Sequence, residues 1–199
     1  MFIVGLNGSP QKEGNTVNLL NAALDAAAGL GCDTRILHVS EALKGLTTPF
    51  CNNCSPVCAG ICAKGHNLGE AYDLLRKADG LIIGSPVYFG TVSAQLKGFW
   101  DKSRVLRKEK ALLNVIGGAV AVGASRFGGQ ETTVKAIHDM MLVQGMTVIG
   151  DGYFADDAGH QGACGQKPSA DDVYSTQRAA IMGRRVAQLA KATMELRRM

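Results

Sequence analysis

Charge is scarce in this chain. Only 19% of its 199 residues are Asp, Glu, Lys or Arg, against 46% apolar. That balance supplies a real hydrophobic interior, and the length leaves no room for a second full domain, so one domain over residues 1–199 is expected. The net charge of +4 is too mild to imply nucleic acid. Its basic excess gathers in a C-terminal stretch holding Arg178, Arg184, Arg185, Lys191, Arg197 and Arg198, which reads as a solvated helix face. An uninterrupted run of about 18 or more apolar residues is missing, so no membrane span is expected. Phe2 to Leu6 already reads as a buried strand with no basic segment before it, so no signal peptide is expected and the cytoplasm is the expected location. Internal repeats and low-complexity linkers are absent as well.

Apolar runs alternate along the sequence with segments of helical period. Strands are expected at Phe2–Leu6, Thr34–Val39, Gly80–Gly84, Val115–Val122 and Met146–Ile149. Helices are expected at Thr16–Ala28, Glu70–Lys77, Ser93–Val105 and about Glu131–Val143. A last helix follows Pro168, with Ser169 and Asp172 spaced as a capping box and Met182, Val186, Leu189 and Leu196 as its buried stripe. Strands that read as continuous apolar runs imply a parallel sheet covered on both faces. The expected fold is a doubly wound, five-stranded α/β sandwich of three layers. Two irregular stretches interrupt it, at about 46–67 and 151–168, and long loops in compact domains are usually functional or mobile.

The first strand opens into Gly8-Ser9-Pro10-Gln11-Lys12-Glu13-Gly14-Asn15-Thr16 and then directly into a helix. Open parallel sheets bind ligands at this edge, and a helix N-terminus with neighbouring hydroxyl and amide donors favours an anion. Five residues separate Gly8 from Gly14, and Asn15 stands where a Walker loop needs lysine. Gly-x-Gly-x-x-Gly is absent too. A monophosphate held by neutral donors fits best. The third strand ends in Ser85-Pro86-Val87-Tyr88-Phe89-Gly90 and the fourth in Ser125-Arg126-Phe127-Gly128-Gly129, at the same sheet edge.

Together these three segments resemble the flavodoxin-like NAD(P)H-dependent FMN reductases over about residues 1–150. In that family GSPxxxGNT holds the phosphate, SPVYFG borders the isoalloxazine ring, and a glycine-rich loop closes over it. The resemblance implies FMN as cofactor. It places the phosphate on Ser9, Gln11, Gly14, Asn15, Thr16 and Val17, and the ring by Pro86, Val87, Tyr88, Phe89, Gly90, Ser125, Arg126, Gly128 and Gly129. Glycine N–H groups at 90, 128 and 129 are expected to approach the pyrimidine edge, where charge accumulates on reduction. Trp100 is expected in the core or a dimer interface.

Of the six cysteines, four fall at Cys51-x2-Cys54-x3-Cys58-x3-Cys62. In a reducing compartment such a cluster argues for metal or redox use before structural disulfides. One compact loop suits a cubane, whereas structural zinc more often joins two separated Cys-x2-Cys knuckles. A 4Fe–4S cluster is the leading expectation, with zinc or metal-free thiols as alternatives. The insert is similar to that of the iron-sulfur flavoproteins, although its middle gap is longer by one residue and its last gap shorter. That likeness implies a homodimer or homotetramer in which one subunit's cluster approaches another's flavin. Cys32 is expected to be a small buried hydrophobe. Cys164 falls in a flexible stretch, Ala158–Gly165, able to lid the flavin. His38, His66 and His138 show no ligand spacing.

The expected activity is that of an FMN-dependent oxidoreductase passing electrons between NAD(P)H or ferredoxin, FMN and the cluster. No catalytic side chain is singled out. Two other readings stay open: a flavodoxin-type electron carrier without catalysis, and a flavin-binding protein whose cysteine loop holds structural zinc.

Overall fold

In a computed structural model describing residues 1–197, the first apolar run forms β1 (Phe2–Asn7), buried along all but its first residue. A loop then leads into α1 (Asn15–Ala28), which buries Val17, Leu20, Leu24 and Ala27, the stripe that steps of three and four dictate. Four more strands join β1: β2 (Asp33–His38), β3 (Gly80–Pro86), β4 (Ile116–Gly123) and β5 (Thr147–Val148). All pair in parallel, in the order β2-β1-β3-β4-β5. Chain order reverses between β1 and β3, which opens a crevice at their carboxyl ends.

β4 is buried throughout and β3 at all but Pro86, which explains why both read as unbroken apolar runs. One face is covered by α1 together with α7 (Val173–Ala192). Those two helices pack so closely that a Cβ on Gly183 would overlap the Ala23 carbonyl oxygen. The other face carries α3 (Asn67–Arg76), α4 (Ala94–Lys102) and α6 (Gln130–Leu142), with the short α2 (Val39–Ala42) and α5 (Arg104–Glu109) beside them. The three-layer sandwich expected from the sequence is the fold that forms. Trp100 lies in its core and donates Nε1–H to the Met140 carbonyl. The single helix expected over Ser93–Val105 is two, because Ser103 Oγ turns back onto the Trp100 carbonyl at 2.6 Å and the chain bends there.

The fifth sheet position differs from expectation. It is shared by β5, which pairs with the start of β4, and by β6 (Ala163–Gln166), which pairs with Val120–Gly123. The stretch expected to be a flexible lid is therefore partly strand, with Ala163 and Gly165 buried against β4. Between the two strands the chain makes an excursion clasped by Arg178. Its Nε donates to Asp151 Oδ2 at 2.6 Å, Nη2 to the Asp151 carbonyl, and Nη1 to Asp156 Oδ2 at 2.7 Å.

The basic stretch is accordingly only in part a solvated face: Lys191 is exposed, but three of its arginines are engaged. Arg178 is 3% exposed, Arg185 reaches the carbonyls of Gly150 and Gly152, and Arg197 those of Ala78 and Leu113. Arg198 lies outside the described residues. The capping box also resolves otherwise. Asp172 is the N-cap of α7, accepting from the Ser175 N–H at 3.1 Å, while Ser169 is engaged with Asn15. Met182 and Val186 are buried as expected, but Leu196 lies past the helix and is 48% exposed.

Candidate functional site

The loop after β1 is folded by a side chain that its sequence does not advertise. Asn7 is fully buried; its Oδ1 accepts from the Ser9 N–H at 3.0 Å, and its Nδ2 donates to the Gln11 carbonyl at 2.8 Å and to His38 Nδ1 at 3.0 Å. Because a backbone N–H can only donate, Asn7 Oδ1 must face Ser9, and His38 must then offer a lone pair at Nδ1. His38 is neutral with its proton on Nε2 in this arrangement. Burial, and then the charge of Lys12, push its pKa below the ordinary histidine value. Ser9 Oγ accepts from the Gln11 N–H, and the Gly8 N–H donates to the Gly84 carbonyl at 2.8 Å, which ties the loop across to β3.

This fold leaves the start of α1 open. Gly14 is its N-cap at φ 132°, no side chain caps it, and its first turn carries no acidic residue. Unpaired N–H groups at a helix start, with the dipole behind them, accommodate an anion. Thr16 stands over the crevice because Gly84 has no Cβ, which would fall 2.9 Å from the Thr16 methyl. Asn15 also reaches across the crevice, since its Oδ1 accepts from the Ser169 N–H at 2.7 Å and its carbonyl from Ser169 Oγ. The phosphate loop is thus joined to the segment entering α7.

After β3, Tyr88 and Thr91 exchange backbone hydrogen bonds around Phe89 at φ 50° and Gly90 at φ 81°. Both central residues have positive φ, as in a type I′ turn. A bulky residue in that region is uncommon and is held there by its surroundings against local preference. Phe89 is fully exposed there, and Phe127 nearly so. The turn rests on the loop after β4: a Cβ on Gly129 would stand 3.2 Å from Gly90 Cα, and Thr132 Oγ1 donates to the Gly90 carbonyl at 2.9 Å. Gln130, buried at the start of α6, holds that second loop. Its Nε2 donates to the carbonyls of Ser125 and Gly165, and its Oε1 accepts from the Gly128 N–H at 2.8 Å.

Beyond these loops lies a cavity of about 740 Å³ lined by Arg126, Phe127, Lys167, Asp172 and Tyr174 among others. Of the residues expected to hold the cofactor, only Arg126 and Gly129 line it; those of the phosphate loop and the 86–90 turn do not. Arg126 stacks over the Phe127 ring at 5.9 Å. Burial would raise the Asp172 carboxyl, but hydrogen bonds from Gln166 and Ser175 and the charge of Arg126 hold it below the usual range. Cys164 also lines the cavity, and burial, with Glu131 and Asp151 adding to it, pushes its thiol up to about 12. It is a neutral thiol at physiological pH and no nucleophile.

In the cysteine-rich insertion Cys54 is exposed and Cys51, Cys58 and Cys62 are half-buried. Burial, followed by the charges of Cys62, Cys58 and Cys51, pushes the nearby Tyr72 hydroxyl up, and that hydroxyl donates to the Phe99 carbonyl. The Asn53 N–H points at Cys51 Sγ at 3.5 Å. Among the described residues no three of His, Cys, Asp and Glu are arranged to hold a single metal ion.

Residues 1–161 match the NADPH-dependent FMN reductase family. The chain belongs to that family. Within it, the chain is 41% identical over 196 residues to an iron-sulfur flavoprotein of Methanocaldococcus jannaschii, spanning 96% of this chain and 98% of that one. It is 36% identical over 178 residues to an iron-sulfur flavoprotein of Methanosarcina thermophila, spanning 89% and 88%. A flavodoxin, WrbA-like protein from Agrobacterium tumefaciens has the same fold, with TM-score 0.67 at 20% identity over 96% of this chain and 97% of that one. Membership makes the protein an FMN-dependent oxidoreductase of flavodoxin-like architecture.

The residues present fit the family's cofactor. The helix start is uncapped, free of acid and opposite a glycine-lined crevice, as a ribityl phosphate requires. One expectation needs amending, since the Gly128 N–H is taken by Gln130 and is not free to approach a ring. Asn7, Gln130 and Thr132 escaped the sequence reading, which looks for donors facing a ligand. The hint lay in their positions, an amide at the end of a buried strand and polar residues opening a helix after Gly-Gly.

Proposed function

We propose that the FMN phosphate rests on the start of α1, contacted by Ser9, Gln11, Gly14, Asn15, Thr16 and Val17, and that the ring lies across the turns at Pro86–Gly90 and Ser125–Gly129. The uncapped α1 N-terminus inside a loop rigidified by Asn7 is the observation that carries this reading. FMN, when bound, supplies a centre able to accept a hydride or an electron pair and to release electrons singly. The chain's own groups bind and orient it: neutral donors take the phosphate, and the joined Gly90 and Gly129 backbones give the ring a flat bed.

Cys51, Cys54, Cys58 and Cys62 would hold a 4Fe–4S cluster. The donor set supports this: four free thiols on one compact loop, and an N–H aimed at one sulfur. A cubane takes one thiolate at each iron, so its ligands stand apart and do not converge on one point. The names of the M. jannaschii and M. thermophila relatives agree with a cluster. NAD(P)H, or ferredoxin, would be the electron donor, and the setting a reducing cytoplasm. Exposed Phe89, Phe127 and Phe154 support assembly into a homodimer or homotetramer. The domain organisation we infer is one unit over 1–199 with the cysteine insertion at about 46–67.

The test is anaerobic purification followed by analysis of FMN, iron, zinc and acid-labile sulfide, then reduction by NADH, NADPH or reduced ferredoxin. The reading expects FMN equimolar with the chain, iron and sulfide in equal amounts, and repeated turnover with an added acceptor. Zinc without sulfide would remove the cluster, and a single oxidation per chain without turnover would leave only an electron carrier.

A further inference from the structure

The cysteine loop is held by a side chain outside it. Arg104, the first residue of α5, directs Nη1 at the Asn53 side-chain oxygen and Nη2 at the carbonyls of Ser55 and Pro56, both at 3.3 Å. These acceptors flank Cys54 on both sides. Asn53 itself sits at φ 49°, a conformation that a non-glycine residue keeps only when its surroundings impose it. Among the described residues no other hydrogen bond ties the span Cys51–Cys58 to the rest of the fold. One guanidinium is the polar tether of the segment carrying three of the four thiols.

The elbow between α4 and α5 also forms the bed of the loop. A Cβ on Gly98 would meet the Pro49 carbonyl oxygen at 2.8 Å, and one on Gly60 would meet the Val105 side chain at 3.1 Å. Lys102 follows Gly98 by one helical turn and is only 4% exposed. Neither Lys102 nor Arg104 forms an ion pair with a carboxylate among the described residues. Arg104 thus brings to the loop a guanidinium with no carboxylate partner among the described residues. An anionic assembly of thiolates is favoured beside such charge, and more so after it gains an electron.

Resting on the cluster reading above, we propose that Arg104 is a positioning residue for the iron–sulfur centre: it clasps the Cys54 turn in its ligating shape, and its fixed charge raises the centre's reduction potential. Nothing in the spacing of the cysteines points to it, because Arg104 is distant in sequence and belongs to another helix.

The test compares full-length wild type, Arg104→Ala and Arg104→Lys, purified without oxygen. Cleavage of the cysteine loop by a low-specificity protease, iron and sulfide retained through repeated desalting, and the potential of the centre are measured, with FMN content and melting temperature as controls. Loss of a charged hydrogen bond of this kind corresponds to cleavage faster by on the order of tenfold or more. Arg104→Ala should show that acceleration, faster loss of iron and a lower potential, with FMN unchanged. Arg104→Lys keeps the charge but not the planar fork, so it should be cleaved fast while holding its potential near wild type. Wild-type cleavage and wild-type iron retention in Arg104→Ala would overturn the clasp, and a loosened loop at unchanged potential would overturn the electrostatic half. A wild type with no iron or sulfide would instead sink the cluster reading and this proposal with it.

Discussion

Replacing Asn7 with alanine removes three hydrogen bonds from one buried point. The Ser9 N–H loses its acceptor in a nearly buried loop, and the Gln11 carbonyl and His38 Nδ1 lose their donor. A stranded buried donor costs about 1–3 kcal/mol and each of the other two bonds roughly 0.5–1.5, for a total on the order of 2–6 kcal/mol. In a chain of this size that lowers the melting temperature by roughly 4–24 °C. The loop it disorders is the one proposed to receive phosphate, so FMN affinity should fall at least about tenfold, since ordering must then be supplied on binding. Urea and thermal unfolding of the apoprotein measure the first effect, and quenching of FMN fluorescence the second. Asn7→Asp sharpens the test. Its carboxylate still accepts from Ser9 but faces the Gln11 carbonyl and a lone pair on His38, so protonating His38 becomes favourable and this variant should gain stability on mild acidification. Stability within about 0.5 kcal/mol of wild type together with unchanged FMN affinity in Asn7→Ala would refute the assignment of Asn7 as organiser of the loop.

Four further outcomes are expected. His38 has its folded pKa lowered, so its contribution is fully present above the ordinary value of 6.5 and is lost as pH falls through the folded value. FMN affinity of the wild type should weaken over that window, and a titration flat from about pH 7.5 to 5 in fluorescence quenching would contradict it. Arg178→Met strands the fully buried Asp151 carboxylate and should cost about 3–5 kcal/mol in urea unfolding. Gly8→Ala puts a methyl 2.8 Å from the Gly84 carbonyl oxygen and 2.9 Å from Leu96, and should cost about 1–3 kcal/mol while weakening FMN binding. Cys164, with its thiol raised to about 12, should resist iodoacetamide at about pH 8 in the native protein and react only on unfolding, as read by peptide mass spectrometry.

The architecture was legible because its strands are continuous apolar runs and its helices keep strict period. β3 and β4 stand out against their Gly-rich and charged surroundings, and the loops at their carboxyl ends carry conspicuous glycine and aromatic residues. What escaped were features that depend on tertiary partners. β6 is a strand only because β4 offers it an edge; Ala-Cys-Gly-Gln has no alternation of its own to announce one. Arg178 looked solvated because sequence shows a basic neighbourhood and not the Asp151 carboxylate brought to it by an excursion of the chain. Ser169 and Asp172 have capping-box spacing, yet Ser169 is drawn to Asn15, far away along the chain. The ligand-facing residues of the phosphate loop could be picked by type, whereas Asn7 and Gln130, which give the loops their shape, could be recognised only once their partners were in place.

The central claim is that a ribityl phosphate lies at the open start of α1, with the ring across the two later turns. A crystal structure of the full chain grown anaerobically with FMN tests it most directly. The account predicts phosphate oxygens within hydrogen-bond distance of Ser9, Asn15, Thr16 and the first N–H groups of α1, and the pyrimidine edge near Gly90 and Gly129. FMN bound elsewhere on the chain, with that helix start left to solvent, would contradict it.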